Sequence, residues 1–195
     1  AKIEALNTLP VFGLTRETVV DRLSELIPRF PELELVIELD DPIIRVRIDS
    51  TGPPDSAVDA VRWVSGRLGK NVFSDSGKDM EQVVGELLLE KNATLAVAES
   101  CTGGLIADLL TDVPGSSDYF LLSAVTYANH AKINVLKVKA DTLERFGAVS
   151  EQTALEMARG ARTLAGATYG LAASGIAGPA GGSDDKPVGT VCIGW

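Results

Sequence analysis

Residues 94–111 read Thr94-Leu95-Ala96-Val97-Ala98-Glu99-Ser100-Cys101-Thr102-Gly103-Gly104-Leu105-Ile106-Ala107-Asp108-Leu109-Leu110-Thr111. The opening apolar run predicts a buried strand near Thr94–Ala98, and the apolar spacing beyond the glycines predicts a helix near Gly104–Thr111. A strand-to-helix crossing is where open α/β sheets place their ligands, outside the carboxyl ends of the strands. Gly103 and Gly104 let backbone approach a ligand, and a helix N-terminus offers free N–H groups to an anion. Ser100 and Thr102 add hydroxyls. The competing reading is an ordinary tight turn with a capping hydroxyl. It is no Walker loop, because the Gly-Lys-Ser/Thr ending is missing.

Outward from this stretch, strand and helix alternate. A helix is expected near Asp79–Glu90. Further strands are expected near Phe120–Tyr127, Tyr169–Ala173 and Thr190–Trp195. Helices are expected near His130–Leu136, Thr142–Phe146 and Glu151–Leu164, the last capped by Ser150 with Glu151 suiting its dipole. This pattern predicts an α/β fold for 76–195, a three-layer domain with helices packed on a mainly parallel sheet. Three other segments carry polar groups. Val113-Pro114-Gly115-Ser116-Ser117-Asp118 is a turn before a strand, where the serines either bind phosphate or start the turn. Thr126-Tyr127-Ala128-Asn129-His130-Ala131-Lys132 is another strand-to-helix crossing. A Lys held partly out of water has a lowered pKa and serves as a base toward a Ser hydroxyl, so Lys132 stands out. The competing reading is a surface Lys, and His130 reads as a cap or surface residue. Ser174-Gly175-Ile176-Ala177-Gly178-Pro179-Ala180-Gly181-Gly182-Ser183 opens a long Gly-dense loop, read as an ordered ligand loop because Ile176, Pro179 and Pro187 do not suit a flexible connector. Because three of these segments directly follow strands of one sheet, they are expected to converge on one edge.

Residues 1–75 predict a small α+β domain. A strand covers about Ile3–Val11. A helix capped by Thr15 carries Val19, Val20, Leu23, Leu26 and Ile27 as one stripe and ends at Pro28 and Pro31. Strands Leu33–Leu39 and Ile43–Ile48 flank an Asp40-Asp41-Pro42 turn. After the loop Thr51-Gly52-Pro53-Pro54, Asp55 caps a helix through Leu68, with Val58, Val61, Trp63, Val64 and Leu68 partly inward, and Gly69 ends it. The order βαββα suggests a ferredoxin-like or KH-like sandwich. Phe73–Lys78 reads as the boundary between domains 1–75 and 76–195.

Composition narrows the function. The chain has 195 residues with 45% apolar, enough for two small cores. Aromatics are 5% and the net charge is −9. The basic residues are not concentrated: 9 Lys+Arg face 13 Asp+Glu in residues 1–75, and 9 face 14 in residues 76–195. Nucleic-acid and anionic-membrane partners are therefore not expected. The loop at Thr51 is not GxxG, which weighs against RNA binding by the first domain. With only Cys101 and Cys192 and the single His130, neither a zinc site nor a disulfide scaffold is expected, and a reducing, cytoplasmic setting fits. No apolar run approaches a membrane span, and no secretory leader is expected. Ala1 is not an initiator Met and the last strand stops without a following element, so the chain is read as a piece of a longer protein.

Ala98-Glu99-Ser100-Cys101-Thr102-Gly103-Gly104, Val113–Ser117, Val125–Lys132, Gly147-Ala148-Val149-Ser150 and Ser174–Gly182 with Lys186–Val191 together resemble the C-terminal domain of the CinA (competence/damage-inducible protein) family over about Lys78–Trp195. Residues 1–75 resemble, less sharply, the family's KH-like middle domain. The resemblance implies a nicotinamide-nucleotide amidase, converting nicotinamide mononucleotide and water to nicotinate mononucleotide and ammonia. It implies no metal and no cofactor, a small-molecule nucleotide substrate and a homodimer. Carried onto this chain, it makes Ser100 the nucleophile and Lys132 the base, with Tyr127 and Ser117 orienting them or the substrate. Ser117 remains open as the nucleophile, and Cys101 is a third candidate. Thr102, Gly103, Gly104, Thr126, Asn129, Ser174, Gly175, Ala177 and Gly178 are the implied substrate-binding residues. Family members continue past the last strand here into a further strand, a Gly-Asp-Arg segment and a helix, whose Arg is a candidate substrate ligand.

Overall fold

The computed structural model describes residues 8–50 and 54–195, with the side chains of Ser50, Pro54 and Asp55 left aside. The chain divides into two compact units, 1–83 and 84–195. The expected strand residues before Thr8 and the Thr51–Pro53 loop lie outside the described residues.

The first unit contains β1 (Thr8–Phe12), α1 (Arg16–Arg22), α2 (Leu26–Arg29), β2 (Leu33–Asp40), β3 (Ile43–Ser50) and α3 (Pro54–Leu68). Its antiparallel sheet has the order β1-β3-β2, so β3 is inserted between the two strands joined by the helical crossover. Thr15 caps α1 as expected, its hydroxyl accepting from the Thr18 amide at 3.2 Å. The single helix expected up to Pro28 is instead two. α1 stops at Arg22, and Pro28 sits in the first turn of α2, where its missing N–H removes no helical hydrogen bond. The break turns the stripe: Val19, Leu23 and Leu26 are buried while Val20 and Ile27 are exposed. α3 begins at Pro54, so Asp55 falls inside its first turn rather than before it. The buried line of α3 is Ala57, Ala60, Val64 and Leu68, at helical spacing, and Val58 is turned out, 57% exposed.

The second unit carries α4 (Met80–Glu90, which spans the border), β4 (Leu95–Glu99), α5 (Leu105–Thr111), β5 (Phe120–Val125), α6 (Asn129–Leu136), α7 (Ala140–Phe146), α8 (Glu151–Ala165), β6 (Tyr169–Gly175) and β7 (Val191–Gly194). The sheet order is β5-β4-β6-β7, parallel except for β7. Every residue of the central β4 is buried. Its side chains alternate: Ala96 and Ala98 join Leu136, Leu143, Met157 and Ala161 in one core, while Leu95 and Val97 join Leu88 and Leu110 in another. The result is three layers, helices on both faces of one sheet. A register shift opposite Leu95 and Ala96 leaves Leu121 as an extra residue in β5, which puts Phe120 on one face and Leu122 and Ala124 on the other.

Small residues bring α8 close to its neighbours. Ala154, Ala158 and Ala161 are buried beneath it. A Cβ added at Gly160, Gly170 or Gly194 would lie 2.1–2.4 Å from backbone atoms of Leu136, Ala158 or Ala154. Ser150 caps α8, accepting from the Thr153 amide at 3.2 Å, and Gly166 closes it.

A Gly→Ala change inside a helix ordinarily stabilises by roughly 0.5–1 kcal/mol. Gly66→Ala in α3, where nothing lies within 4 Å of the new Cβ, is expected to do so. Gly160→Ala is expected to reverse the sign and cost about 1–3 kcal/mol through overpacking. Urea unfolding of the two variants measures both, and equal signs would contradict the packing described for α8.

Candidate active site

The parallel strands β5, β4 and β6 end at Val125, Glu99 and Gly175 on one edge of the sheet. Backbone hydrogen bonds continue past the strand ends. The Thr126 amide donates to Glu99 O at 2.8 Å, and the Ser100 amide donates to Ala173 O at 3.0 Å. The three segments that the sequence places after these strands are therefore held side by side, as expected. Gly175 lies so close to the turn after β4 that an added Cβ would be 2.9 Å from Cys101 Sγ.

Lys132 is the fourth residue of α6, and its side chain runs back into the protein, leaving only 1% of the residue exposed. Its Nζ is 3.1 Å from Ser100 Oγ, 2.8 Å from Thr126 O and 3.2 Å from Tyr127 O. Among the described residues it has no carboxylate partner. Burial holds its pKa below the usual lysine value, with the nearby Cys101 sulfur acting weakly the other way. Ser100 is itself buried. The surface-Lys reading is excluded by this geometry.

Glu99, just before Ser100, is the group that reading the residues one by one passes over. It is 0% exposed, yet its carboxylate is fully engaged. Oε2 accepts from the Gly104 and Ile106 amides at 3.0 and 3.1 Å. Oε1 accepts from the Ala107 amide at 3.0 Å and the Ser123 hydroxyl at 3.1 Å. Burial pushes its pKa up, but the Thr102 hydroxyl turned toward it, the Ala107 and Ile106 amides and Ser123 outweigh this and hold it below the usual carboxylate value. The free amides expected at the start of α5 are thus taken by the protein's own carboxylate. The signal was present in the sequence: an acidic residue at the end of a wholly apolar strand has to find donors, and the helix N-terminus five residues on supplies them.

The remaining candidates fall into different places. The Thr102 hydroxyl is buried facing the Glu99 carboxylate, and the Thr126 hydroxyl is buried without a hydrogen-bond partner among the described residues. Gly103 and Gly104 have φ of +63° and +111°, which the reversal from β4 into α5 requires. Ser174 is buried and donates to Ala148 O at 2.7 Å, tying β6 to the turn before α8. Its hydroxyl is therefore a structural tie. Ala177 and Gly178 begin the loop after β6, which Lys186 straps down by donating to Phe146 O and Val149 O at 3.0 and 2.7 Å. Asn129 starts α6 and is exposed, as is His130. Tyr127 is 74% exposed; its carbonyl holds Lys132 while its phenol is free to reach outward. Ser117 is not brought to Ser100 within this chain. It lies in the 3₁₀ turn Ser116–Asp118 before β5, at the opposite edge of the sheet, a strand's length of roughly 20 Å away. Among the described residues no group of three or more His, Cys, Asp or Glu is placed to hold a metal, and no helix is long and apolar enough to cross a membrane.

Because the Glu99 pKa is lowered on folding, its contribution to stability is present above the unfolded-state value near 4.5 and is lost as pH falls through the folded-state value. Glu99→Gln is expected to cost about 2–4 kcal/mol at pH 7, on the scale of hydrogen bonds to a charged, buried group. The gap between variant and wild type is expected to narrow below about pH 4. Urea unfolding at neutral pH and again below the carboxylate range measures this, and a pH-independent gap would count against the charge assignment.

Comparison with known proteins agrees with this architecture. The family model for the CinA C-terminal domain matches residues 77–195. The CinA-like protein of Desulfosudis oleivorans is 56% identical over 97% of this chain, and that of Geobacter metallireducens 48% over 95%. The chain spans about half the length of these relatives, 47% and 46%. Among solved structures, a competence/damage-inducible protein from Agrobacterium tumefaciens aligns with TM-score 0.57 and 47% identity, covering 58% of this chain and 68% of its own. A CinA superfamily protein from Escherichia coli aligns with TM-score 0.56 and 38% identity, covering 58% and 66%. By these matches the chain belongs to the CinA family, and residues 77–195 are its CinA C-terminal domain.

Proposed function

We propose that the second unit is an amidase site that hydrolyses the carboxamide of nicotinamide mononucleotide to nicotinate mononucleotide and ammonia. The observation that carries the chemistry is the buried Lys132 Nζ at 3.1 Å from Ser100 Oγ. The choice of substrate rests on the family resemblance. A neutral lysine amine has two N–H groups and one lone pair. The Thr126 and Tyr127 carbonyls accept the two N–H groups, and the lone pair is left facing the Ser100 hydroxyl. Burial without a carboxylate counter-ion favours that neutral state.

In this reading Lys132 takes the Ser100 proton as Oγ attacks the amide carbon. The backbone amides of Cys101 and Thr102, in the turn after Ser100, stabilise the tetrahedral oxyanion. The Lys132 ammonium then returns the proton to the leaving nitrogen, which departs as ammonia and leaves an ester on Ser100. A water, deprotonated by Lys132, attacks that ester; the acyl C–Oγ bond breaks, Ser100 Oγ takes the proton back from Lys132, and the product leaves as the carboxylate with its remaining proton passing to solvent. Thr102, Thr126 and the segment Gly175–Gly178 border the site, and Tyr127 reaches the substrate from its rim. Cys101 is the neighbour of the nucleophile and has no base of its own among the described residues. The α5 N-terminus is not a phosphate cradle in this scheme, since Glu99 occupies it.

Ser100→Ala or Lys132→Met in the full-length protein is expected to lower ammonia release from nicotinamide mononucleotide by about 10²–10⁴-fold, with ligand affinity little changed. Wild-type protein that binds the nucleotide and releases no ammonia would instead favour a non-catalytic nucleotide-binding module. The base must be unprotonated, so the rate is expected to rise with pH through the Lys132 pKa, with that limb below the usual lysine value of 10.5. A pH–rate profile checks this, and a limb at or above 10.5 would remove Lys132 as a buried base.

A further inference from the structure

We infer that Glu99 is a positioning residue for this hydrolysis: by binding the amides at the start of α5 it fixes the turn in which the Cys101 and Thr102 amides serve as the oxyanion donors beside Ser100. The inference rests on the amidase reading of the Ser100–Lys132 site.

The amides from Cys101 to Ala107 fall into two groups. Gly103 N donates to Ser100 O at 3.2 Å and Leu105 N to Thr102 O at 3.1 Å, closing the turn on itself. Gly104, Ile106 and Ala107 donate to the Glu99 carboxylate. The Cys101 and Thr102 amides have no hydrogen-bond partner among the described residues. They belong to the residues directly after Ser100, a position from which backbone amides serve as oxyanion donors in strand-to-helix nucleophile turns. One side chain and two turn carbonyls thus engage every amide of this run except the two next to the nucleophile.

The carboxylate also solves an electrostatic problem. It is the acidic group directly adjoining Ser100 in the chain, and a free carboxylate there would pair with Lys132 and keep it protonated. Three amides and the Ser123 hydroxyl absorb its charge instead. A substrate anion is likewise kept off the start of α5 and directed away from it. Glu99 touches neither substrate nor Lys132. It acts through the backbone of the turn.

The first test needs no turnover. In hydrogen exchange on the full-length protein, the Gly104, Ile106 and Ala107 amides are expected to be protected and the Cys101 and Thr102 amides to exchange fast. Glu99→Gln is expected to reduce the protection of the first three at least tenfold. Unchanged protection in the variant, or protected Cys101 and Thr102 amides in the wild type, overturns the inference. The second test is kinetic. Glu99→Gln is expected to lower kcat per folded molecule about 10- to 100-fold, on the scale of a weakened oxyanion donor. Calorimetric binding of nicotinate mononucleotide should keep its stoichiometry and stay within about threefold in affinity, and the Lys132 limb of the pH profile should stay in place. Ser123→Ala, which removes one hydrogen bond to the carboxylate and leaves the fold less perturbed, is expected to lower kcat roughly two- to fivefold. A purely structural role would reduce the binding stoichiometry along with kcat, and that result overturns the inference. If Ser100 is required and both variants keep wild-type kcat, the role of Glu99 alone falls. If Ser100→Ala releases ammonia at the wild-type rate, the reading of Ser100 and Lys132 as the reacting pair falls with it.

Discussion

A lysine amine buried without a carboxylate is the constraint around which the second unit is organised. Taking an ammonium out of water costs several kcal/mol unless charge or hydrogen bonds compensate. Among the described residues Lys132 finds two carbonyls and the Ser100 hydroxyl. The fold accepts this because those acceptors come from the ends of two strands that the sheet already holds together, and α6 brings the lysine to them. Thr126 follows β5, Ser100 follows β4, and α6 begins three residues after Thr126. The pair is therefore a product of the three parallel strands β5, β4 and β6, which deliver their carboxyl ends to one edge.

The neighbouring residues Glu99 and Ser100 divide the labour of that edge. Both are buried, one with its carboxylate held by helix amides and the other beside the Lys132 amine. A carboxylate and an amine buried so near one another would ordinarily pair. Here each is satisfied separately, the carboxylate toward α5 and the amine toward the segment after β5. The separation leaves the amine without a carboxylate partner among the described residues and fills the start of α5 with the protein's own carboxylate.

Packing on the far side makes the edge rigid. α8 lies against β4 and β6 through Ala158 and Ala161 and against β7 at Ala154, and Gly160, Gly170 and Gly194 admit no further carbon. Close backbone approach leaves little freedom for the strands to slide, and Ser174 and Lys186 tie the segment after β6 to the turn before α8. The loop dense in glycine is thereby held at two points rather than left as a free connector.

Much of this was legible in the sequence, because it depends on local rules. The apolar runs at Leu95, Phe120 and Tyr169, the Gly103-Gly104 break and the Ser150 cap each report on their own few residues. So the alternation of strands and helices, the three-layer fold and the convergence of three segments came from order alone. The family was legible from the same motifs, and Ser100 and Lys132 stood out by residue type. Other features depend on which side chain meets which across the fold. The break of the first helix before α2, the outward turn of Val20, Ile27 and Val58, and the flip in β5 at Leu121 depend on how each face meets its neighbours. Ser117 shows the limit most clearly: it lies in the same domain as Ser100, but a strand places it at the other end of the sheet. Glu99 shows it from the other side, since its role depends on donors contributed by α5 and β5 at once. Sequence by itself determined the elements and the residue types at their ends. Only the tertiary structure decided which of the polar groups share one dry volume, because desolvation and hydrogen-bond geometry are properties of the assembled edge and not of any segment in it.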